Sequence, residues 1–214
     1  MSQKILVTGG AGYIGSHVCK ALNKIKKEII VVDNLSTGKE KYVKSGIFIK
    51  ADLKNKKALE KIFSKHKIDS VIHLAASCLV EESQNKIEDY YNNNVIGTIN
   101  LLDNMVKFKV KNIIFSSTCA VYGVKNKKIY EDDKLEPVNV YGETKKVCEE
   151  IIQTYSRVNK FNYIILRYFN AAGADTDGEL GEDRQNETHL IPLIFRSIKN
   201  NTPINIFGND YDTR

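Results

Sequence analysis

Tyr141 stands four positions before Lys145 in the stretch NVYGETKK, residues 139–146. Four residues make about one helical turn, so a phenol and an ammonium can share one face. A tyrosine with an ordinary pKa of about 10 is a poor base at neutral pH. A nearby positive charge favours the phenolate and lowers that pKa. Such a pair suits the removal of a proton from an alcohol as its carbon gives up a hydride. Upstream, FSSTCAVYG (115–123) puts hydroxyls at Ser116, Ser117 and Thr118, and that of Thr118 can bridge to a substrate hydroxyl and share the proton. Tyr-x-x-x-Lys alone occurs on many helix surfaces, so its meaning depends on what surrounds it.

Those surroundings are a repeated alternation of short β-rich runs and longer amphipathic ones. The runs 4–8, 28–33, 47–52, 69–75, 111–117 and 162–170 read as strands. Helices are expected over about 13–25, 55–66, 85–107 and 140–158. The strands are nearly continuous apolar runs, as in a parallel sheet covered on both faces. The expected fold is therefore α/β, a doubly wound parallel sheet. In such a sheet the carboxyl ends of the strands line the ligand crevice, which places Thr118 and the start of the Tyr141 helix at one site. After Asn170 the Gly/Asp/Glu-rich segment AAGADTDGELGEDRQNE leaves the sheet, THLIPLIFRSIKNN reads as a helix and INIFG as a short strand. The expected organisation is a cofactor-binding domain with the catalytic residues over 1–170 and the beginning of a smaller substrate-binding subdomain over 171–214. A subdomain begun and not completed predicts a C-terminally truncated chain.

Between the first strand and the first helix lies VTGGAGYIGSH, with Gly9, Gly12 and Gly15 spaced as GxxGxxG. This is the strand–turn–helix setting of a dinucleotide fingerprint, in which a helix N-terminus presents N–H groups to a pyrophosphate. Asp33 closes the second strand, eighteen residues after Gly15, where a carboxylate can accept from ribose hydroxyls. Asn34 and Leu35 follow, with no Arg or Lys to receive a 2′-phosphate, so NAD is expected over NADP. Asp52 ends the third strand in a similar way, and Asp52–Leu53 can hold the adenine edge.

Composition narrows the field. Of 214 residues, 42% are apolar and 27% charged, which fits a globular chain with a real core. The four cysteines are dispersed with no paired CxxC spacing, so no metal site is expected and reduced thiols in the cytoplasm are. The opening residues do not read as a signal peptide and no apolar run reads as long enough to cross a bilayer, so neither is expected, and no membrane partner is expected. A net charge of +6 raises nucleic-acid binding, but the lysines come in small groups such as KIKK and KNKK between acidic residues, without aromatic interleaving. No nucleic-acid partner is expected.

TGGAGYIG, VIHLAA, YYNNNVIGT, FSSTCAVYG, YGETK and LRYFNAAGA, in this order, resemble an extended short-chain dehydrogenase/reductase over the whole length. Within that superfamily, VVDNLSTG, LRYFNAAGADTDGELGED, THLIP and IFGNDYDT resemble the branch that interconverts UDP-glucose and UDP-galactose. The resemblance implies a Rossmann-type domain with Thr118, Tyr141 and Lys145 as the catalytic group. It implies NAD contacts from Tyr13, Ile14, Asp33, Asn34, Asp52 and Leu53. Further NAD contacts are implied for Leu74, Ala75, Ala76, Asn93 and Tyr168. For a UDP-hexose substrate it points to Asn170, His189, Leu190, Asn205 and Phe207. Some relatives carry a lysine near the cofactor where this chain has Cys78. The implied reaction is redox-neutral: Tyr141 takes the 4-hydroxyl proton, hydride moves to NAD, and the 4-keto sugar turns and takes it back on the other face. A homodimer is implied for a full-length protein, while the 214-residue chain alone is expected to bind NAD without turnover.

Sibling chemistries use the same pair. A 4,6-dehydratase needs a further acid/base directly after Thr118, where this chain has Cys119 and Ala120, neither suited to that proton transfer. Epimerases of N-acetylated or uronic sugars, and a non-catalytic NAD-binding regulator, are the remaining alternatives.

Overall fold

The apolar runs pair into one sheet of six parallel strands: β1 (Lys4–Thr8), β2 (Glu28–Asp33), β3 (Ile47–Lys50), β4 (Ser70–His73), β5 (Asn112–Thr118) and β6 (Asn162–Tyr168). They are seen in a computed structural model that describes residues 3–184, 187–206, 208 and 210. Their order is β3-β2-β1-β4-β5-β6. The chain steps outward from β1 to β3, then crosses back to lay β4 on the other side of β1. That reversal puts a crevice at the carboxyl ends of β1 and β4, where α/β sheets bind ligands. The chain divides into two compact units, Met1–Ala171 and Ala172–Arg214.

Six helices belong to the first unit: α1 (Tyr13–Lys24), α2 (Lys56–Lys65), α3 (Val80–Asn85), α4 (Ile87–Tyr90), α5 (Gly97–Lys107) and α6 (Val140–Asn159). Alternate strand residues point to opposite faces. Leu6, Ile30, Val32, Val71, Ile113 and Phe115 face Leu59 and Phe63 of α2, Leu101 and Met105 of α5 and Ile152 of α6. Val7, Ile29 and Val31 turn the other way, against Cys19 of α1. Burial pushes the Cys19 thiol up to about 12, so it is an apolar core residue.

The single helix expected over 85–107 is not what forms. Helix starts earlier, at Val80, breaks at Lys86, and passes through a π-helical turn over Tyr91–Ile96 before α5. The wider turn leaves Tyr90, Asn93 and Asn94 all within reach of the segment after β4. The Tyr90 hydroxyl donates to the Leu79 carbonyl (2.7 Å), and Asn94 bonds both to the Ser77 N–H and to its carbonyl (2.8 and 3.0 Å). Hydrogen bonds to another segment decide the helical pitch here, and periodicity carries no trace of them.

In the second unit α7 (Leu190–Asn200) forms as expected, with Pro192 in its first turn, where no intrahelical N–H bond is lost. The strand expected at INIFG does not appear among the described residues. Residues 202–206 have no regular structure, no described strand lies alongside, and Ile206 is exposed. A strand exists only when a partner takes up its N–H and C=O groups.

His73 ends β4 in register with Thr8 of β1 and Phe115 of β5. The Thr98 hydroxyl donates to the Asn94 carbonyl (2.6 Å), so it accepts from His73 Nε2 (2.9 Å). The Thr8 hydroxyl accepts the N–H groups of Leu74 and Ala75 and donates to Nδ1 (2.7 Å). The network thus assigns a neutral ring with its proton on Nε2. Burial, reinforced by the charge of Lys145, lowers this imidazole from 6.5 to about 3. The unfolded chain takes up a proton that the folded chain refuses, so this part of the stability is complete above pH 6.5 and is lost as pH falls toward about 3. Melting midpoints measured down this range should fall, and His73→Asn, less stable at pH 8, should lose less on acidification.

Candidate active site

The loop after β1 brings three backbone segments unusually close. Gly9 has φ +71°, and a Cβ there would lie 2.7 Å from the Ala75 nitrogen, so loop and post-β4 segment pack backbone to backbone. A Cβ on Gly15 would come within 2.1 Å of the Gly9 carbonyl, which is why α1 can start directly against the loop. Gly12 is the N-cap of α1 and supplies no side chain to its first turn, which contains no acidic residue. The first-turn amides, Tyr13 and Ile14 among them, thus point out of a positively polarised helix end at the crevice.

Asp33 lies at the end of β2, buried, and its two oxygens accept from the N–H groups of Ala11 (3.0 Å) and Leu35 (2.8 Å). It therefore ties the glycine loop to the segment that follows β2. Asn34 donates to Asp52 (3.1 Å), which also accepts from the Lys54 N–H (2.8 Å). Asp52 sits two residues past the end of β3, which stops at Lys50 and not at Asp52 as expected. Leu53 belongs to the core, against Gly97 of α5, and its carbonyl accepts from the buried Asn100 side chain (3.0 Å). Leu74, Ala75 and Ala76 follow β4, and Asn93 donates to Ser77 Oγ (3.2 Å) from the π turn.

α6 carries Tyr141 and Lys145, and every N–H group of its first turn has a partner. Val140 donates to Gln84 (3.4 Å) and Tyr141 to Ser83 Oγ (3.1 Å). Gly142 donates to the side chain of Asn139 (2.8 Å) and Glu143 to its carbonyl (3.0 Å). The helix end is thereby seated on α3 by its own orphan amides. A Cβ on Gly142 would stand 2.7 Å from the Ala120 carbonyl. This close approach sets the Tyr141 turn on the 3₁₀ turn Cys119–Tyr122, which Thr118 caps by accepting the Ala120 N–H (3.2 Å). Thr118 and the Tyr141 turn are thus brought to one place by the Thr118 cap and the close approach of Gly142 to Ala120.

Lys145 is only 3% exposed, with its ammonium 4.5 Å from the centroid of the Phe115 ring. Burial lowers its pKa, and the Glu149 carboxylate one turn along opposes that. Its field in turn opposes protonation of His73. Tyr168, ending β6 in register with Thr118, is half-buried, and burial raises its phenol.

The remaining expected residues follow β6 in the chain. Asn170 is exposed, just past β6. In the second unit, His189 caps α7 with Nδ1 2.6 Å from Glu182, Leu190 opens the helix, and Asn205 is exposed in an irregular stretch. Phe207 lies outside the described residues.

Comparison with known proteins places this geometry. The chain matches the NAD dependent epimerase/dehydratase family over residues 5–214. It belongs to that family. Among curated members it is 42% identical to the UDP-glucose 4-epimerase of Rhizobium meliloti (strain 1021), across all of this chain and 66% of that protein. With the UDP-glucose 4-epimerase of Lactobacillus helveticus it shares 46% identity over 99% of this chain and 65% of that protein. The crystal structure of UDP-glucose 4-epimerase from Brucella ovis in complex with NAD superimposes with a TM-score of 0.95 at 42% identity, covering 99% of this chain and 66% of that one. The chain thus spans about two thirds of the length of the relatives it matches. Among the described residues no helix is long and apolar enough to cross a membrane.

Several residues that hold this family site together were not singled out from sequence. Asn139 did carry a signal, an N-cap residue immediately before the helical run with Glu143 behind it. Asn94 carried none. It is buried, bonds both to the Ser77 backbone and to Thr144 of α6 (3.1 Å), and so joins the post-β4 segment to the Tyr141 helix. Asn94→Ala should cost about 2–3 kcal/mol in denaturant unfolding, because it strands buried partners on two elements.

Proposed function

We propose that this protein interconverts UDP-glucose and UDP-galactose with bound NAD, through a 4-keto sugar. The observation that carries the reading is the seating of Tyr141 on the turn capped by Thr118, with the Lys145 ammonium buried one helical turn further on. The cradle fits a dinucleotide: a glycine loop that no Cβ can enter, an uncapped helix N-terminus for a pyrophosphate, and Asp33 at the end of β2 for a ribose. Tyr13, Ile14, Asn34, Asp52, Leu53, Leu74, Ala75, Ala76, Asn93 and Tyr168 are assigned to the same cofactor. Asn170, His189, Leu190, Asn205 and Phe207 are assigned to the nucleotide sugar.

NAD bound there supplies a hydride acceptor that can return what it takes. The chain's own part is proton handling. Thr118 Oγ already accepts the Ala120 N–H, which leaves its hydrogen for a substrate oxygen. Tyr141 takes the 4-hydroxyl proton as a phenolate and returns it after the sugar has turned. Lys145 stabilises that phenolate by its charge, and exclusion of water strengthens the field it exerts. The same lysine must stay protonated against its own desolvation, and the Glu149 carboxylate one turn along favours this. Elimination of water, as in a dehydratase, would need a proton donor after Thr118. Cys119 and Ala120 occupy those positions.

The decisive experiment follows conversion of UDP-galactose to UDP-glucose by the purified full-length protein, together with the absorbance of bound cofactor. Tyr141→Phe should keep fold and NAD while turnover drops about 10³-fold or more; a near-normal rate would exclude proton transfer by Tyr141. Lys145→Ala should move the pH optimum upward, since the phenolate then forms only at higher pH.

A further inference from the structure

Behind the Tyr141–Lys145 face lies a buried polar cluster whose hydrogen bonds take no part in the proton transfer above. Glu149 of α6 is 1% exposed and stands one turn beyond Lys145. Arg167 of β6 grips it in bidentate fashion, Nε to Oε1 at 3.0 Å and Nη2 to Oε2 at 2.7 Å. Ser117, the residue before Thr118, donates a short hydrogen bond to the same carboxylate. From its remaining nitrogen, Nη1, Arg167 donates to the Tyr122 hydroxyl (2.8 Å) and to the Glu131 carbonyl (2.8 Å), with its guanidinium 4.9 Å from the Tyr122 ring centroid. Tyr122 ends the 3₁₀ turn that Thr118 begins, so the cluster grips that turn from both sides.

An isolated buried ion pair adds little to stability, because desolvation offsets attraction, and its better-attested use is to enforce one arrangement over its neighbours. This pair is placed to do so. A planar fork tolerates little sliding or rotation of its carboxylate. Glu149 shares a helix with Tyr141 and Lys145, and Ser117 and Tyr122 bracket Thr118. We propose that Glu149 and Arg167 are positioning residues for the proton-handling group: their ion pair fixes the register of α6 against the end of β5, and thereby the placement of Tyr141 and Lys145 relative to Thr118. The inference rests on the reading that those three residues handle the proton.

Arg167→Lys keeps both charges and removes the fork, so it isolates geometry from electrostatics. With UDP-galactose as substrate, kcat should fall roughly tenfold or more, as misplaced reacting groups require. KM and bound NAD should stay within about threefold, the split expected when only transition-state placement is lost. Glu149→Gln should lower kcat similarly and also shift the alkaline limb of the pH profile to lower pH. There the negative charge that favours the Lys145 ammonium is gone, while in Arg167→Lys it remains and the limb should hold. A readout without turnover is the ¹³C-labelled ε-methylene resonance of Lys145, which should shift in Arg167→Lys while the circular-dichroism spectrum of the folded chain is retained. Folded Arg167→Lys with unchanged kcat and an unmoved Lys145 resonance would overturn the proposal. So would loss of activity and cofactor in proportion to the fraction unfolded, which marks a merely structural role. Tyr141→Phe run alongside separates the two readings: a normal rate there sinks the proton-transfer assignment, while the Lys145 resonance still decides the brace.

Discussion

A lysine amine almost wholly removed from water is the demand around which this domain is arranged. Lys145 loses hydration that a surface lysine keeps, and the chain has to replace it. The face of Phe115 supplies part, at 4.5 Å from the ammonium, and the Glu149 carboxylate supplies more. The requirement spreads outward. His73, across Phe115 at a centroid separation of 5.5 Å, must stay neutral so that two cations do not share one apolar pocket. It can do so because Thr8 and Thr98 satisfy both ring nitrogens. In this way the lysine of α6 is linked to the first strand and its glycine loop.

The second demand is mechanical. A helix that carries two cooperating side chains has to stop at one place, and its first turn has amides with no internal partner. Here those amides are the fastening: Ser83, Gln84 and Asn139 take them, and α3 exists at the right point to offer two of the three. Gly142 lets the helix settle against the Ala120 carbonyl, and Asn94 ties its other side to the segment after β4. The π turn is part of the same device, since it keeps Asn93 and Asn94 aimed at Ser77.

Family membership fits this economy of parts. A proton-handling pair, a hydroxyl at a strand end and a glycine cradle serve several reactions on nucleotide sugars. What separates the reactions is which further groups stand beside the sugar. In this chain the two residues after Thr118 are Cys119 and Ala120, and the post-β4 segment carries Cys78, so under the proposed function the site offers one base, one hydroxyl and one buried amine.

Much of this was legible in the amino-acid order. Six strands, α1, α2, α6 and α7 follow from apolar runs and their periods, and the glycine spacing with Asp33 locates a dinucleotide cradle, because strand, turn and helix are consecutive in the chain. Tyr141 and Lys145 are visible for the same local reason, one helical turn apart. Glu149 continues their face at the same spacing, and Arg167 is a charge in an apolar strand, so each left a hint whose meaning needed the other. The break at Lys86, the π turn, the lack of a strand among the described residues of INIFG and the role of Asn94 left none. Each depends on a partner distant in sequence: a backbone carbonyl, a neighbouring strand or a loop. Periodicity along one chain reports which face of an element is apolar. Whether a buried polar group finds its partner is decided only when the elements meet.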